Sequence, residues 1–249
     1  MTAAGVPLTA LARLDGVVTT IELDTPTGPI DALLDIPIGT GPWPGVVIIH
    51  DAIGYASDKE SINSHVAAAG YVALTPNLFS RGGWARCVTK VMRQLLTKEG
   101  QALDDVLAAR DHLKSLPDCT GRVGIAGFCM GGGFALIMSP KGFDASAPFY
   151  GTPLPRQLSE TLDGACPVVA SFGSRDPIGR GAHKKLQRVL DDKGVTNDVK
   201  TYQAGHSFAN KLPAQPLLRI TGFGYNAEAT EDAWARVFAF FGEHLRSGA

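Results

Sequence analysis

The sequence has almost no excess of charge of either sign. Its 23 Lys and Arg stand against 24 Asp and Glu, a formal net charge of -1. It therefore lacks the basic footprint of a protein that binds nucleic acid or an anionic membrane, and neither is expected as a partner. Long apolar runs are also missing: nowhere do about 18 apolar residues follow one another, so no transmembrane helix is expected. The opening residues, MTAAGVPLTALARLDG, lack a basic segment followed by a continuous apolar one, and the chain is read as soluble, unexported and cytoplasmic. Cysteine is scarce. The four, at 87, 119, 129 and 166, include no CxxC pair, which fits neither a disulfide framework nor a zinc site and suits a reducing compartment. There is no repeat, low-complexity tract or Ser/Gly linker, so residues 16–249 are expected to form one domain behind an N-terminal arm over 1–15.

What is present is an ordinary apolar fraction, 45%, and a surplus of glycine, 29 of 249 residues. Short β-branched runs bounded by Gly or Pro alternate with amphipathic stretches, the signature of a mostly parallel sheet covered by helices. An antiparallel pair is expected over 17–23 and 29–36. GVVIIH at 45–50 is continuously apolar, as a strand buried on both faces should be. A helix over 57–69, capped by Ser57 or Asp58 and stopped by Gly70, leads to a strand at 71–75. Residues 77–100 are less regular, with glycines at 82 and 83 and a cationic, partly amphipathic stretch beyond, and read as an excursion over the sheet edge. A helix at 101–116, a strand at 122–126, a helix at 134–138, strands at 144–150, 167–172 and 198–203, and a helix at 181–193 follow. From Glu228 onward, Ala233, Trp234, Val237, Phe238, Phe241 and Leu245 recur at helical spacing.

Chemistry concentrates at Gly127-Phe128-Cys129-Met130-Gly131-Gly132, between a buried strand and a helix. In the nucleophile elbow (GxSxG), small residues two before and two after the nucleophile permit a turn sharp enough to expose its side chain above the sheet. Here a thiol replaces the hydroxyl. The turn places Cys129 at a helix N-terminus, which favours the thiolate, and lets the Met130 N–H face a developing oxyanion. The plainer alternative is a cysteine packed as a small hydrophobe, the role expected of Cys87, Cys119 and Cys166. An elbow nucleophile takes its acid and then its histidine from later in the chain. Of the three histidines beyond Cys129, His183 and His244 fall in helices, whereas His206 lies in AGHSF just after a strand. Asp176, in SRDP at the carboxyl end of a strand, is the expected acid; capping of its own loop is the alternative.

These residues resemble the dienelactone hydrolase family of the α/β-hydrolase superfamily, through GFCMGG after a buried strand, the later SRD and AGHSF, from about residue 16 to the C-terminal helix. The resemblance implies the α/β-hydrolase fold, a mostly parallel central sheet of about eight strands flanked by helices. It puts the triad on Cys129, Asp176 and His206, and a second oxyanion N–H on Ala52. It also implies that Asp51, a methylene shorter than the family's usual Glu, faces the resting thiol through a longer or water-mediated contact, with capping of its own loop as the plainer alternative. Of two arginines that hold a substrate carboxylate, one falls on Arg81 and the other position is occupied by Asn210. No metal or organic cofactor is implied.

A tetrahedral intermediate expels its better leaving group, and a thiolate (pKa about 8.5) leaves more readily than a simple alkoxide. The expected activity is hydrolysis of small-molecule enol esters, lactones, aryl esters or thioesters through an acyl-enzyme, with His206 as base and Asp176 fixing its tautomer. The rival from another class is a non-catalytic ligand-binding protein on the same fold. A redox thiol protein is a third reading, without a resolving cysteine nearby in sequence.

Overall fold

The computed structural model of the protein describes residues 18–53, 59–211 and 222–246. The expected N-terminal arm, and the expected helix cap at Ser57 or Asp58, lie outside the described residues. The elements in chain order are β1 (Thr19–Leu23), β2 (Ile30–Asp35), β3 (Trp43–Ile49), α1 (Lys59–Ala68), β4 (Val72–Pro76), α2 (Gly83–Thr97), α3 (Gln101–Ser115), β5 (Cys119–Phe128), α4 (Met130–Met138), β6 (Ala145–Phe149), α5 (Leu158–Thr161), β7 (Val168–Gly173), α6 (Ala182–Asp192), β8 (Asn197–Tyr202) and α7 (Ala227–Arg246). The eight strands form one sheet in the order β1-β2-β4-β3-β5-β6-β7-β8. β1/β2 and β2/β4 pair antiparallel and all other pairs are parallel, the expected α/β architecture. No helix among the described residues is long and apolar enough to cross a membrane.

The central strands read as unbroken apolar runs because both faces of the sheet are covered. Along β3, Val47 and Ile49 point into a core shared with Val91 and Leu95 of α2 and with Val106 and Leu113 of α3. Val46 and Ile48 point the other way, toward Val66 of α1 and Trp234, Val237 and Phe241 of α7. A third cluster joins Val168, Ala170 and Phe172 of β7 to Leu186 and Leu190 of α6.

One expectation is corrected. The stretch expected to be less regular, 77–100, contains the 15-residue helix α2. Its inner face is Cys87, Val91 and Leu95, with Val88 and Met92 partly buried beside them against the same core. That stripe has ordinary helical spacing, but the glycines at 82 and 83 in front of it and the cationic side chains between its apolar positions suggest a loop. Burial decides the matter, since Val91 and Leu95 each contribute about 1.5–3 kcal/mol once covered.

The chain leaves β3 toward β4 on one side and later returns to lay β5 on the other. In an open α/β sheet such a reversal opens a crevice outside the carboxyl ends of the strands. Here those ends carry His50 to Ile53 after β3 and Cys129 after β5. Arg81, between β4 and α2, braces this region. Its Nη1 donates to Asp105 Oδ2 at 2.7 Å and its Nη2 to Asp105 Oδ1 at 3.0 Å, Thr25 Oγ1 at 2.6 Å and the Gly28 carbonyl at 2.7 Å. Asp105, on α3, is 1% exposed. Arg81→Gln leaves that carboxylate buried without its cation, and is expected to lower stability by about 2–3 kcal/mol in urea denaturation. The same variant should leave the KM of any substrate unchanged.

Candidate active site

Cys129 follows β5 with φ 52 and ψ -111, a conformation that an L-residue adopts only when its surroundings enforce it. The enforcement is visible on both sides. Its N–H donates to the Phe149 carbonyl at 3.0 Å, and its own carbonyl accepts from Gly133 N at 3.1 Å, which starts α4. A Cβ on Gly127 would lie 2.1 Å from the Gly131 oxygen, and one on Gly131 would lie 2.1 Å from the Ile49 oxygen. Only glycine permits the start of α4 to fold back against its own strand and against the end of β3. The Cys129 side chain is partly exposed, and the Met130 N–H, in the first turn of α4, belongs to the set that has no partner within the helix.

His206 follows β8 and is 1% exposed. Its backbone is clamped on both sides, its N–H donating to the Gly222 carbonyl at 2.7 Å and its carbonyl accepting from Gly224 N at 3.0 Å. The ring lies against Tyr150 and Phe223, with centroids 5.1 and 5.3 Å away. Nδ1 is 2.8 Å from Asp176 Oδ2. The other carboxylate oxygen, Oδ1, accepts from Ile178 N at 2.8 Å and Gly179 N at 3.0 Å. Asp176 thus both caps its loop and orients the imidazole, so the two roles weighed for it coexist.

Burial raises the Asp176 pKa, but the His206 hydrogen bond and charge and the two backbone N–H groups outweigh it and hold the carboxyl below its ordinary value. For His206, burial opposes the charged ring. Hydrogen bonding and charge from Asp176 and Cys129 more than offset that and lift it to about 9. Nε2 is buried and makes no hydrogen bond of normal geometry; the Cys129 sulfur is the group close enough to act on its charge. Cys129, His206 and Asp176 therefore converge from the ends of three separate strands. The other cysteines have no such setting. All four are free, and burial pushes the Cys166 thiol up to about 12, far from ionisation.

The remaining expected residues behave differently. Ala52 lies in the turn after β3, beside the crevice. Asp51 Oδ1 accepts from Ile53 N at 2.9 Å, so this carboxylate caps its own loop. Arg81, expected at a substrate carboxylate, has both terminal nitrogens engaged by Asp105, Thr25 and Gly28, because α3 supplies a buried counter-charge that the sequence pattern does not reveal. Asn210 is buried, and its Oδ1 accepts from the Tyr150 hydroxyl. Tyr150 carries no motif in the sequence; its φ of 38 and its place at the end of β6, beside the Cys129 turn, are what bring it to the site. Trp84 was hidden in the stretch expected to be less regular, yet its indole reaches the Ala52 carbonyl. Among the described residues no cluster of three or more His, Cys, Asp or Glu could hold a metal ion.

The model of the dienelactone hydrolase family matches residues 30–245. A carboxymethylenebutenolidase of Rhodococcus opacus is 27% identical over 228 residues, covering 84% of this chain and 85% of that one. The carboxymethylenebutenolidase of Pseudomonas putida is 26% identical over 201 residues, covering 76% and 80%. Among solved structures, a dienelactone hydrolase-like promiscuous phosphotriesterase from metagenomic libraries has the same fold, with a TM-score of 0.77 at 23% identity over 92% of this chain and all of that one.

The His206 pKa lies above its free value of 6.5, so its stabilising contribution is complete below that value and is lost as pH rises through about 9. Urea titrations should show stability falling as pH rises through about 9, and His206→Gln should remove this alkaline decline.

Proposed function

The chain belongs to the dienelactone hydrolase family, and from that premise we propose that it hydrolyses activated carboxylic esters or lactones through a Cys129–His206–Asp176 triad and an acyl-enzyme. The observation that carries the mechanism is the imidazole of His206, held by Asp176 at 2.8 Å through Nδ1 while Nε2 is left to the Cys129 sulfur.

In this reading the proton of the Cys129 thiol already resides on His206 Nε2 when Sγ bonds to the substrate carbonyl carbon. The carbonyl oxygen becomes an oxyanion between the N–H groups of Ala52 and Met130. Collapse of the intermediate breaks the ester C–O bond, and the proton on His206 passes to the departing oxygen. A water deprotonated by His206 then attacks the thioester, and Sγ leaves as the thiolate while His206 keeps the proton. Asp176 keeps the proton of the neutral ring on Nδ1 and stabilises the imidazolium formed in each half-reaction. Because Sγ must remain while the substrate oxygen departs, enol and aryl leaving groups are favoured over simple alkoxides and amines.

Substrate charge follows from the side chains around the site. Arg81 is already paired, and Asn210 offers an amide engaged by Tyr150. Neither supplies the charge-assisted bidentate bond that would hold a carboxylate. The favoured substrates are neutral.

Hydrolysis of p-nitrophenyl acetate should fall more than about 10³-fold in both Cys129→Ala and His206→Ala. Rapid quenching of the wild type should leave an acetyl group on the peptide that contains Cys129. Rates unchanged in both variants would overturn the triad. In a separate comparison of lactones that differ only in a carboxylate, the neutral member should have a kcat/KM about tenfold higher or more; preference for the anion would refute the assignment of substrate charge.

A further inference from the structure

The two peptide groups that flank Ala52 offer four backbone polar atoms, and three are already engaged. The Asp51 carbonyl is 2.8 Å from His50 Nδ1. The Ala52 carbonyl accepts from Trp84 Nε1 at 2.8 Å. Ile53 N donates to Asp51 Oδ1 at 2.9 Å. The fourth, the Ala52 N–H, makes no hydrogen bond among the described residues.

The proton on His50 is fixed by its partners. Leu78 N donates to Nε2 at 3.2 Å, and a backbone N–H can only donate, so Nε2 is the bare nitrogen and Nδ1 carries the hydrogen. That hydrogen points at the Asp51 carbonyl. In a planar trans peptide the C=O of Asp51 and the N–H of Ala52 are antiparallel, so fixing one direction fixes the other. The ring is 6% exposed and packs edge-on against Phe79, with centroids 4.6 Å apart. Burial drives its pKa down to about 4, only partly countered by the Asp51 carbonyl, and Lys59 adds to the depression. A neutral donor is therefore maintained throughout the working range of a hydrolase.

We propose that His50 is a positioning residue for the oxyanion hole, holding the Asp51–Ala52 peptide so that the Ala52 N–H stays aimed into the crevice, with Trp84 fixing the following peptide. This rests on the acyl-transfer reading above. His50 touches no reacting atom; it acts by making the donor rigid before substrate arrives, which is where an oxyanion hole gains its advantage over water.

The test uses two replacements at one position. Asn places an amide N–H where Nδ1 stands and loses the acceptor for Leu78, whereas Gln reaches toward Leu78 and loses the donor to Asp51. With p-nitrophenyl acetate, His50→Gln should lose about 10- to 100-fold in kcat with little change in KM. Its affinity for phenylacetaldehyde, which forms a tetrahedral adduct on Cys129, should fall in parallel. His50→Asn should recover most of both losses despite the orphaned Leu78 N–H. Trp84→Phe, at a side chain 55% exposed, should keep the thermal midpoint and lose a few-fold in kcat. Equal losses in the two His50 variants, or a kcat in His50→Gln within about twofold of wild type, would overturn the proposal. If His50→Gln does not fold, an unchanged kcat in Trp84→Phe overturns it instead. Failure of the triad itself has a different signature, namely turnover that survives Cys129→Ala.

Discussion

The site hangs on one backbone crossing. At the first turn of α4, Gly131 lies so close to the carbonyl end of β3 that no side chain fits between them, and Gly127 is locked in turn against Gly131. That crossing keeps β5 and β3 in register up to their last residues, Ile49 opposite Gly127. It also sets the Cys129 turn beside the segment that carries Ala52. Two N–H groups from distant parts of the chain, those of Ala52 and Met130, acquire their relation to Sγ through it. The strained φ of Cys129 is held by the Phe149 carbonyl on one side and the start of α4 on the other, so the strain is borne by the sheet rather than by a loop.

Two buried histidines show how the same side chain is set to opposite ends of its range. His50 and His206 are 6% and 1% exposed, and burial penalises the charged form of both. His50 meets a backbone carbonyl and a backbone N–H, neither of which repays a full charge, and it falls to about 4. His206 meets a carboxylate and a sulfur and rises to about 9. One ring is fixed neutral and serves as a rigid donor. The other sits between a carboxylate and a sulfur, and despite burial the Asp176 carboxyl beside it is held below its ordinary value, first by the His206 hydrogen bond and charge and then by the Ile178 and Gly179 N–H groups.

The architecture was legible in the sequence wherever burial writes a pattern along the chain. β3 and β5 are covered on both faces and read as continuous apolar runs, and α7 buries a broad stripe at regular spacing. The Cys129 turn was legible because steric necessity leaves glycine as its only solution. α2 was not, since its start is marked by glycines and cationic side chains interrupt its apolar positions. The contacts of Arg81, Asn210 and Trp84 were illegible for another reason. Each depends on a partner far along the chain, Asp105, Tyr150 and Ala52, and no local spacing encodes such pairs.

The contacts of Arg81 and Asn210 show why membership of a family does not by itself preserve a substrate. A guanidinium can hold a ligand carboxylate only if its donors are not already committed. Here Asp105, deeply buried on α3, depends on Arg81 for compensation of its charge, which binds the arginine to the fold. At the other position an amide replaces a cation, and its oxygen receives the hydroxyl of Tyr150, whose ring lies against His206. The two places that would read an anion are thus absorbed into the support of His206 and the helices around it. In the proposed reading the donors beside Cys129, among the described residues, are the backbone N–H groups of Ala52 and Met130. Such donors respond to charge that develops on the reacting carbonyl, whatever the rest of the substrate carries, and so they favour reactivity of the ester over recognition of a distant carboxylate.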